Sequence, residues 1–461
     1  MPPIIHEGRV TPDDSRRQPY LYLPFPVPAG TTRIDVRLEH DPGNVIDLGL
    51  LDGRAGAFPS SEGFRGWSGG ARDRFFIAMD DATPGYLPGK MPPGNWQLVL
   101  GLYQILPHGC RYFVAIELDD APRTPIADAD EQPFFPVPPG WYPGDLQSHT
   151  HHSDARGSLS DLVNAAKHRG LRFLAVTDHN TVSHHRQLPR MSSSELFLLP
   201  GEEVTTAAGH ANVWGAADWV DFRITAPAHV DAVAERAHAL GGVISINHPK
   251  PGGPDWQYHV PMEADCVEAW QAPWPAGNDV SLEFYDRLLR EGRRVVLVGG
   301  SDRHQPGWPD HDPEILQVGS PTTWLWLDEL SVRACLAALK SGRVFVSEGP
   351  AGPRLELAVN GVPMGGTVGT EVVTKEPGAS DPQLEAVRSS GMAVASIGSR
   401  LPVLLRLMGE LGEIYTQQIP VGEHEVEVEL DLTRAGKFVR AELWHETDDR
   451  IVALSNPLFF N

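Results

Sequence analysis

The chain has 461 residues, more than one typical domain of ~100–200 residues, so about two to four domains are expected. Its 60 acidic residues outnumber 38 basic ones, and the formal charge of −22 argues against a nucleic-acid partner, which would need a basic surface. Three scattered cysteines, Cys110, Cys266 and Cys335, encode neither a disulfide framework nor a thiolate metal cluster. Because the sequence shows no leader pattern and no run of ~18–20 apolar residues, we expect a cytoplasmic protein with no membrane partner.

Residues 1–140 are predicted to form an N-terminal β-sandwich domain. Apolar or alternating runs between proline and glycine breaks cover residues 20–27, 32–38, 96–103 and 112–118. Helical periodicity is absent from this segment, which favours two packed sheets. The proline-rich residues 133–139 predict a stiff linker at its end.

Residues 141–349 alternate between strand and helix patterns. Helices are predicted over residues 160–169, 230–240, 279–291 and 331–340, and strands over residues 171–177, 243–246 and 295–298. This alternation predicts a mostly parallel sheet, either open or closed into a barrel.

Residues 350–461 return to a β pattern. Strict alternation over residues 425–432 is typical of a half-solvated antiparallel strand, and further strands are predicted over residues 438–444 and 451–454. We therefore predict a C-terminal β-sandwich domain, which makes the whole chain α/β plus β.

Residues with metal-binding chemistry follow the predicted strands of the central segment, which holds 14 of the 19 histidines. The carboxyl ends of parallel strands converge on one face of a sheet, so side chains that follow different strands should meet there. Eight residues occupy such positions: His149, Asp154, His179, Glu203, His210, His248, Asp302 and His304. Of these, Glu203 and His210 are predicted to lie in the same loop.

Imidazole and carboxylate groups without thiolate favour Zn²⁺, Mn²⁺ or Fe²⁺. A catalytic zinc ion typically takes three protein ligands, so eight candidate ligands imply more than one metal. We expect two to three divalent ions in a hydrolase, although the sequence does not fix the metal or the oligomeric state.

The motifs in this region resemble those of the PHP (polymerase and histidinol phosphatase) metallohydrolases, closest to the CehA/McbA-like branch. The resemblance rests on Gly-Asp-Leu-Gln-Ser-His-Thr-His-His-Ser-Asp at 144–154 and Thr-Asp-His-Asn at 177–180. It continues, in the family's order, through Pro-Gly-Glu-Glu at 200–203, Gly-His at 209–210, Asn-His-Pro at 247–249 and Gly-Ser-Asp-Arg-His at 300–304.

The resemblance implies a distorted (β/α)7 barrel that holds up to three metals between the two flanking β domains. It assigns His149, Glu203 and Asp302 to the first metal. Asp154, His179 and His304 match the ligands of the second. The third would lie between His210 and His248, with Glu203 as a bridging carboxylate, chosen over Glu202 because the family pattern is Gly-x-Glu.

One position departs from the family pattern, which is Asp-Leu-His-x-His. Gln147 stands where the first histidine is expected, and His149 is taken as the second because Asp154 follows it at the family's spacing of five. Gln147 is a poor ligand, so it is placed in the second layer and the first metal would be held by fewer groups.

The first functional hypothesis is hydrolysis of a small phosphate ester by a metal-bound hydroxide, with Asp302 and His304 at the reacting centre. Arg156, Lys250 and Arg303 neighbour ligand positions and are predicted to bind the substrate. Asp178 is predicted to orient an imidazole. His184, or the adjacent His185, is predicted to protonate the leaving group.

Two alternatives stay open. The same metals could attack a carboxyl ester or carbamate, with Trp256, Trp270, Trp274 and Trp308 lining a pocket for an aromatic group. A non-enzymatic binding protein with a degenerate centre is the other alternative, suggested by Gln147 and by the two β flanks.

Overall fold

A computed structural model describes residues 2–60, 62–304, 317–369 and 390–461. The N-terminal part consists of eight strands and one short helix: β1 (Ile4–Val10), α1 (Pro12–Arg17), β2 (Tyr20–Val27), β3 (Arg33–His40), β4 (Val45–Leu51), β5 (Phe64–Gly69), β6 (Arg74–Ala78), β7 (Gly94–Gln104) and β8 (Cys110–Asp119).

These strands form two four-stranded antiparallel sheets, ordered β1-β8-β3-β6 and β2-β7-β4-β5. Alternate side chains point inward, and those of both sheets share one buried apolar cluster that includes Phe25, Ile34 and Trp96. The helix α1 was not predicted. Its local signal is a capping box between Thr11 and Asp14, with a proline in the first turn.

The central part alternates strands and helices, as predicted: β9 (Phe135–Asp145), α2 (Leu159–His168), β10 (Phe173–Val176), α3 (Leu188–Met191), β11 (Phe197–Thr206), β12 (Gly209–Trp214), α4 (His229–Ala239), β13 (Val243–Asn247), β14 (Cys266–Gln271), α5 (Asn278–Arg290), β15 (Val296–Gly300), β16 (Thr322–Leu330), α6 (Val332–Ser341) and β17 (Val344–Ser347).

The strands of this part lie in the order β15-β14-β13-β12-β11-β10-β9-β16-β17. The pairs β9/β10, β10/β11, β13/β14 and β14/β15 are parallel, whereas β12 runs antiparallel between β11 and β13. The segments that follow β9 and β15 return to each other: the Asp302 N–H donates to the Gln147 carbonyl and the His149 N–H to the Arg303 carbonyl, each at 3.0 Å. Seven strand ends therefore surround one region.

The prediction of a linker over residues 133–139 was wrong, because β9 begins at Phe135 and pairs with β16 as far as Gly144. Proline has no N–H to donate, so prolines are tolerated where a strand is paired on one side. The N-terminal half of β9, which holds Pro136, Pro138 and Pro139, pairs with β16 alone, while β10 joins only at residues 144–145.

The C-terminal part is again β: β18 (Arg354–Val359), β19 (Val362–Pro363), β20 (Thr367–Val368), β21 (Ser390–Ser399), β22 (Val403–Gly409), β23 (Gly412–Ile419), β24 (Gly422–Asp431), α7 (Leu432–Ala435), β25 (Phe438–His445), β26 (Ile451–Ser455) and β27 (Leu458–Phe460).

A four-stranded sheet, β19-β18-β21-β24, shares an apolar cluster with β22, β25 and β26. Because β26 also pairs with β17, the central sheet continues into the C-terminal part without a break. The described helices include none that is long and apolar enough to cross a membrane.

Candidate metal centre

The structure gathers the eight predicted ligands around the region where the strands end. His149, His179, His248 and the pair Asp302 and His304 follow β9, β10, β13 and β15 respectively. Two positions differ from the prediction of a loop: Glu203 lies inside β11 and His210 inside β12. These two strands continue as an antiparallel hairpin, so their side chains reach the centre from within the sheet.

Glu203 is the central carboxylate and is fully buried. Its Oε2 lies 2.8 Å from His179 Nδ1 and 3.5 Å from His149 Nε2, while its Oε1 lies 3.2 Å from His210 Nδ1. The Nε2 of His248 is 3.5 Å from the same Oε1. Burial raises the pKa of Glu203, but the neighbouring histidines outweigh it and hold that pKa well below its usual range. Each carboxylate oxygen thus faces its own pair of imidazoles.

Asp302 closes the side of the site next to His149. Its Oδ1 is 2.9 Å from His149 Nε2, and its Oδ2 accepts a hydrogen bond of 2.9 Å from the Gln271 amide. Burial raises the pKa of Asp302, yet the bond to His149 and the charge of His304 lower it to about 2. The carboxylate is therefore ionised at neutral pH and suited to hold a cation.

Asp154 lies in the turn between β9 and α2, opposite two histidines. Its Oδ1 is 3.6 Å from His179 Nε2 and 3.4 Å from His304 Nε2, and these two nitrogens are 3.2 Å apart. Burial opposes charge on both imidazoles, but the surrounding carboxylates raise the pKa of His179 to about 9 and that of His304 to about 10. Two ring nitrogens that face one carboxylate oxygen form a donor set for a cation.

The donor atoms form three overlapping groups, each with ligand atoms within 4.8 Å of one another. Glu203 with His149 and Asp302 is the trio predicted for the first metal; the other two groups are His149, His179, His304 and His179, Glu203, His210. Buried polar atoms without a hydrogen bond of acceptable geometry among the described residues include His149 Nδ1, Gln147 Oε1 and Glu203 Oε2, whose 2.8 Å contact with His179 Nδ1 is poorly aligned. Because burying an unpaired polar atom is costly, these atoms fit a site that receives cations.

Gln147 lies beside the centre, in the second layer predicted for it. It is fully buried and donates from its amide Nε2 to Glu203 Oε1 at 2.9 Å. Asn247 donates to the same oxygen at 2.9 Å. The two amides orient the carboxylate without adding charge.

Three of the six non-glycine residues with positive φ among the described residues lie at the centre. His248, Asp302 and Asn180 are non-glycine residues with φ of 28°, 52° and 54°, in the left-handed region. Such conformations cost ~1–3 kcal/mol each and persist where the surroundings over-determine them. Asn180 is fixed by a bond from its amide to the Thr205 carbonyl at 3.0 Å and by one from the Thr205 N–H at 2.7 Å.

Three acidic or amide residues near the centre were missed. Glu268 and Gln271 lie on β14, whose short alternating pattern was not recognised as a strand. Glu268 is buried and accepts the His248 N–H at 3.1 Å; burial raises its pKa well above the usual range. Asp47, on β4 of the N-terminal part, has a pKa raised to about 7 by burial, an effect opposed by the nearby charge of His179.

The position of His184 does not fit its predicted role as a leaving-group acid. It is fully buried, and its Nε2 lies 3.0 Å and 3.1 Å from the carbonyl oxygens of Val176 and Gly201. His185 likewise donates to the Gly201 carbonyl at 2.9 Å. Both imidazoles are bound to the backbone, at the end of β10 and in the middle of β11, so neither is placed to reach a substrate.

The imidazole nearest to Asp178 is that of His184, which is not among the eight predicted ligands; its Nδ1 lies 3.2 Å from Asp178 Oδ2 without hydrogen-bond geometry. The main contacts of Asp178 are with the turn that precedes Asp154: it accepts the N–H groups of Thr150 at 2.8 Å and of Ser153 at 3.1 Å. Asp178 therefore fixes a turn of the site.

The three predicted substrate-binding cations are adjacent to ligands. The Lys250 ammonium is buried, donates to the Gln271 carbonyl at 2.9 Å and to the Asn278 amide oxygen at 2.7 Å, and has a pKa lowered to about 8 by burial. Burial also lowers the pKa of Arg303, whereas Arg156 is exposed. Their contact with a substrate stays a prediction.

The predicted aromatic pocket is described in part. Trp270 is buried and packs edge-on against Trp274 at 4.9 Å between ring centroids, so Trp270 belongs to the core. Trp256 is half-buried and lies beside Gly209, next to the ligand His210. Trp308 lies outside the described residues.

A scan of the sequence against protein-family models finds no match, and no curated protein matches it. Among solved structures, the chain is similar to a two-domain protein from Bacteroides vulgatus that contains a predicted PHP-like metal-dependent phosphoesterase. The sequence identity is 15%, the TM-score is 0.39, and the alignment covers 72% of this chain and 100% of that one.

Proposed function

We propose that the protein is a metal-dependent hydrolase of the PHP type. The observation that carries this proposal is the buried carboxylate of Glu203, with one oxygen toward His149 and His179 and the other toward His210 and His248. A carboxylate placed between two sets of imidazoles is suited to bridge two cations. The strands whose ends surround Glu203 would correspond to the distorted barrel of that family and of its CehA/McbA-like branch. The N-terminal and C-terminal β parts would correspond to its flanking domains.

Two to three divalent ions, zinc, manganese or iron, would be held by the residues described above. His149, Glu203 and Asp302 would hold the first, and Asp154, His179 and His304 the second. Glu203, His210 and His248 would hold the third. When bound, such ions supply a nucleophile from water at neutral pH and neutralise charge that develops on oxygen atoms.

We propose a small phosphate ester as the substrate. Three positively charged side chains lie next to proposed ligands: Arg156 beside His304, Lys250 beside His248 and Arg303 beside Asp302. These side chains would bind the non-bridging oxygens of a phosphoryl group. A carboxyl ester or carbamate is the second candidate, favoured by the half-buried ring of Trp256 beside Gly209. Turnover of an aryl phosphate, an aryl acetate and an aryl carbamate, with Zn²⁺ or Mn²⁺ supplied, separates the two.

Glu203 and its neighbour Glu202 provide a matched pair for the first test. E203Q removes the shared charge, so we expect the metal content per chain to fall by at least one ion and hydrolysis to drop by ~100-fold or more. Glu202 is equally buried, but its carboxylate accepts the Val220 N–H at 2.8 Å and burial raises its pKa to about 8. E202Q should keep both metal and activity.

Elemental analysis and the three substrates give the readout for both variants. One or no metal ion per wild-type chain after growth in metal-replete medium would contradict the proposal. Equal losses in E202Q and E203Q would also contradict it, because they would indicate a folding defect in place of a lost ligand.

A further inference from the structure

One arginine of the N-terminal part reaches the turn that carries the ligand Asp154. Arg72 lies between β5 and β6, and its Nη1 donates to the Ser153 carbonyl at 3.1 Å. Its Nη2 donates to the carbonyl of His151. The guanidinium thus binds two carbonyl oxygens of the turn that leads to Asp154, a geometry that suits its rigid planar fork of donors better than the flexible ammonium group of a lysine.

The same turn is fixed on its other side from inside the central part. Asp178 accepts the Ser153 N–H at 3.1 Å and the Ser153 hydroxyl at 2.7 Å, as well as both donors of Thr150. The turn is therefore held between a carboxylate that binds its N–H groups and a guanidinium that binds its carbonyl groups. The first comes with β10, and the second comes from a different part of the chain.

A second contact from the N-terminal part reinforces this position. The Gly85 N–H donates to the Ser183 hydroxyl at 3.0 Å, and that hydroxyl lies 2.7 Å from His152 Nδ1. The approach is close, since a Cβ on Gly85 would lie 2.9 Å from the His152 carbonyl oxygen. The turn at 151–153 is thus packed directly against the N-terminal sheets.

Asp154 needs this support because its own side chain has few fixed contacts. Its carboxylate is half exposed and approaches His179 and His304 at 3.6 Å and 3.4 Å, longer than a hydrogen bond of good geometry. Its position depends on the backbone that carries it.

We infer that Arg72 is a positioning residue of the metal centre: it holds the 151–154 turn so that Asp154 completes the donor set with His179 and His304. The inference rests on the proposed function, which makes Asp154 a ligand. It gives the N-terminal part a defined role, because the guanidinium of Arg72 binds the carbonyl groups of His151 and Ser153 in this turn.

The test is metal affinity measured on the full chain with Zn²⁺ as the probe. In R72A the turn loses two charge-assisted bonds, so we expect the weakest-bound ion to dissociate roughly 10-fold or more readily in competition with a chromophoric chelator. R72K keeps the charge but not the fork, and should lie between R72A and the wild type. The matched control is R74A, whose side chain is 83% exposed and pairs only weakly with Asp73.

Amide hydrogen exchange of the metal-free chain provides a readout that does not depend on activity. A peptide that covers residues 150–154 should exchange faster in R72A than in R74A, while peptides of β13 and β14 stay unchanged. If R72A does not fold, the comparison of R72K with R74A replaces it.

Unchanged zinc affinity and unchanged exchange in both R72A and R72K would overturn the inference while the proposed function stands. A wild-type chain that binds none of Zn²⁺, Mn²⁺ and Fe²⁺ would overturn the proposed function and this inference with it. Uniformly faster exchange across the central part would show a general loss of packing and would also overturn the positioning role.

Discussion

At the residue scale, the same side chain serves two purposes within a few positions of the sequence. His179 faces Glu203 and Asp154 at the metal centre, whereas His184 and His185 bind carbonyl groups of the backbone. The difference lies in what surrounds each imidazole. Carboxylates around His179 raise its pKa to about 9, while burial lowers that of His185 to about 4 against the smaller opposing effects of the Gly201 carbonyl and Asp178.

The lowered pKa of His185 predicts a pH dependence of stability. In the unfolded chain the imidazole gains a proton as the pH falls through its ordinary value of 6.5, but in the folded chain it stays neutral down to about 4. The unfolded state binds more protons than the folded state in this window. The free energy of unfolding therefore falls as the pH decreases from 6.5 to 4.

The variant H185Q isolates this effect, because glutamine can still donate to the Gly201 carbonyl but does not titrate. Relative to H185Q, the wild type should lose roughly 1 kcal/mol of stability per pH unit below 6.5 and nothing between pH 7 and 8. Urea denaturation of both proteins from pH 8 to pH 5 measures the difference. A difference that does not vary with pH would refute the predicted shift.

The sequence predicted which side chains gather at the candidate centre but not the layer around them. His149 and Asp302 could be found because ligand chemistry follows a strand at each position. Gln271 and Asn247 could not, since an amide has no distinctive pattern and their contacts with Asp302 and Glu203 depend on how β13 and β14 pack. His184 was misassigned because sequence shows that a histidine is near a ligand, but not which way it points.

At the element scale, the strand β15 positions part of the candidate site because Asp302 and His304 follow it directly. It pairs with β14 on one side, and no described strand pairs with its other edge. Two side chains form hydrogen bonds with the backbone groups of that edge instead. The Thr323 hydroxyl accepts the Gly299 N–H at 2.9 Å and donates to the Gly299 carbonyl at 2.7 Å, and Asn456 binds both backbone groups of Leu297.

Replacing Thr323 with valine keeps the shape of this side chain and removes its hydroxyl. The buried N–H and carbonyl of Gly299 would then lack partners, so we expect the free energy of unfolding to fall by ~1–3 kcal/mol. Because two proposed ligands, Asp302 and His304, follow β15, metal retention should also decrease. Thermal melts and elemental analysis measure these effects, with T416V, at an exposed position on β23, as the control. Similar stability and metal content in T323V and the wild type would refute the prediction.

The predicted helices agree with the structure to within a residue or two, as α2 and α5 show, because apolar periodicity is a local signal, to which α2 adds a capping box. The strand β14 and most of β9 were missed for physical reasons. The prolines of β9 indicate a linker unless β16 is known to lie beside it. The strand β14 has only six residues and gains its character from the parallel neighbours β13 and β15.

At the scale of the whole molecule, both flanking parts touch the loops and strands that carry ligands. The N-terminal part does so through Arg72, and the C-terminal part through Asn456, which binds β15. A buried ionic group provides a second connection. Arg440 of β25 is 1% exposed and binds Asp286 of α5 through two bonds of 2.8 Å and 2.6 Å, and Glu442 at 2.6 Å.

The buried group around Arg440 should stabilise the connection between α5 and β25. R440M fills a similar volume but leaves the carboxylates of Asp286 and Glu442 buried together without a cation. Removing one partner of a buried ionic group costs ~3–5 kcal/mol, so the first unfolding transition in urea should move to a clearly lower concentration. The control is R287M, since Arg287 pairs with Glu291 at 3.4 Å and both side chains are about half exposed.

An exposed pair contributes ~1 kcal/mol or less, so R287M should unfold close to the wild type. In R440M we expect the C-terminal part to separate first, and the edge of β15 that Asn456 covers should then be exposed to exchange. Hydrogen exchange at residues 296–300 in moderate urea would show this as a faster rate in R440M than in R287M. Equal rates in the two variants would mean that the C-terminal part holds β15 independently of Arg440, and that Asn456 with its neighbouring strands suffices for the connection.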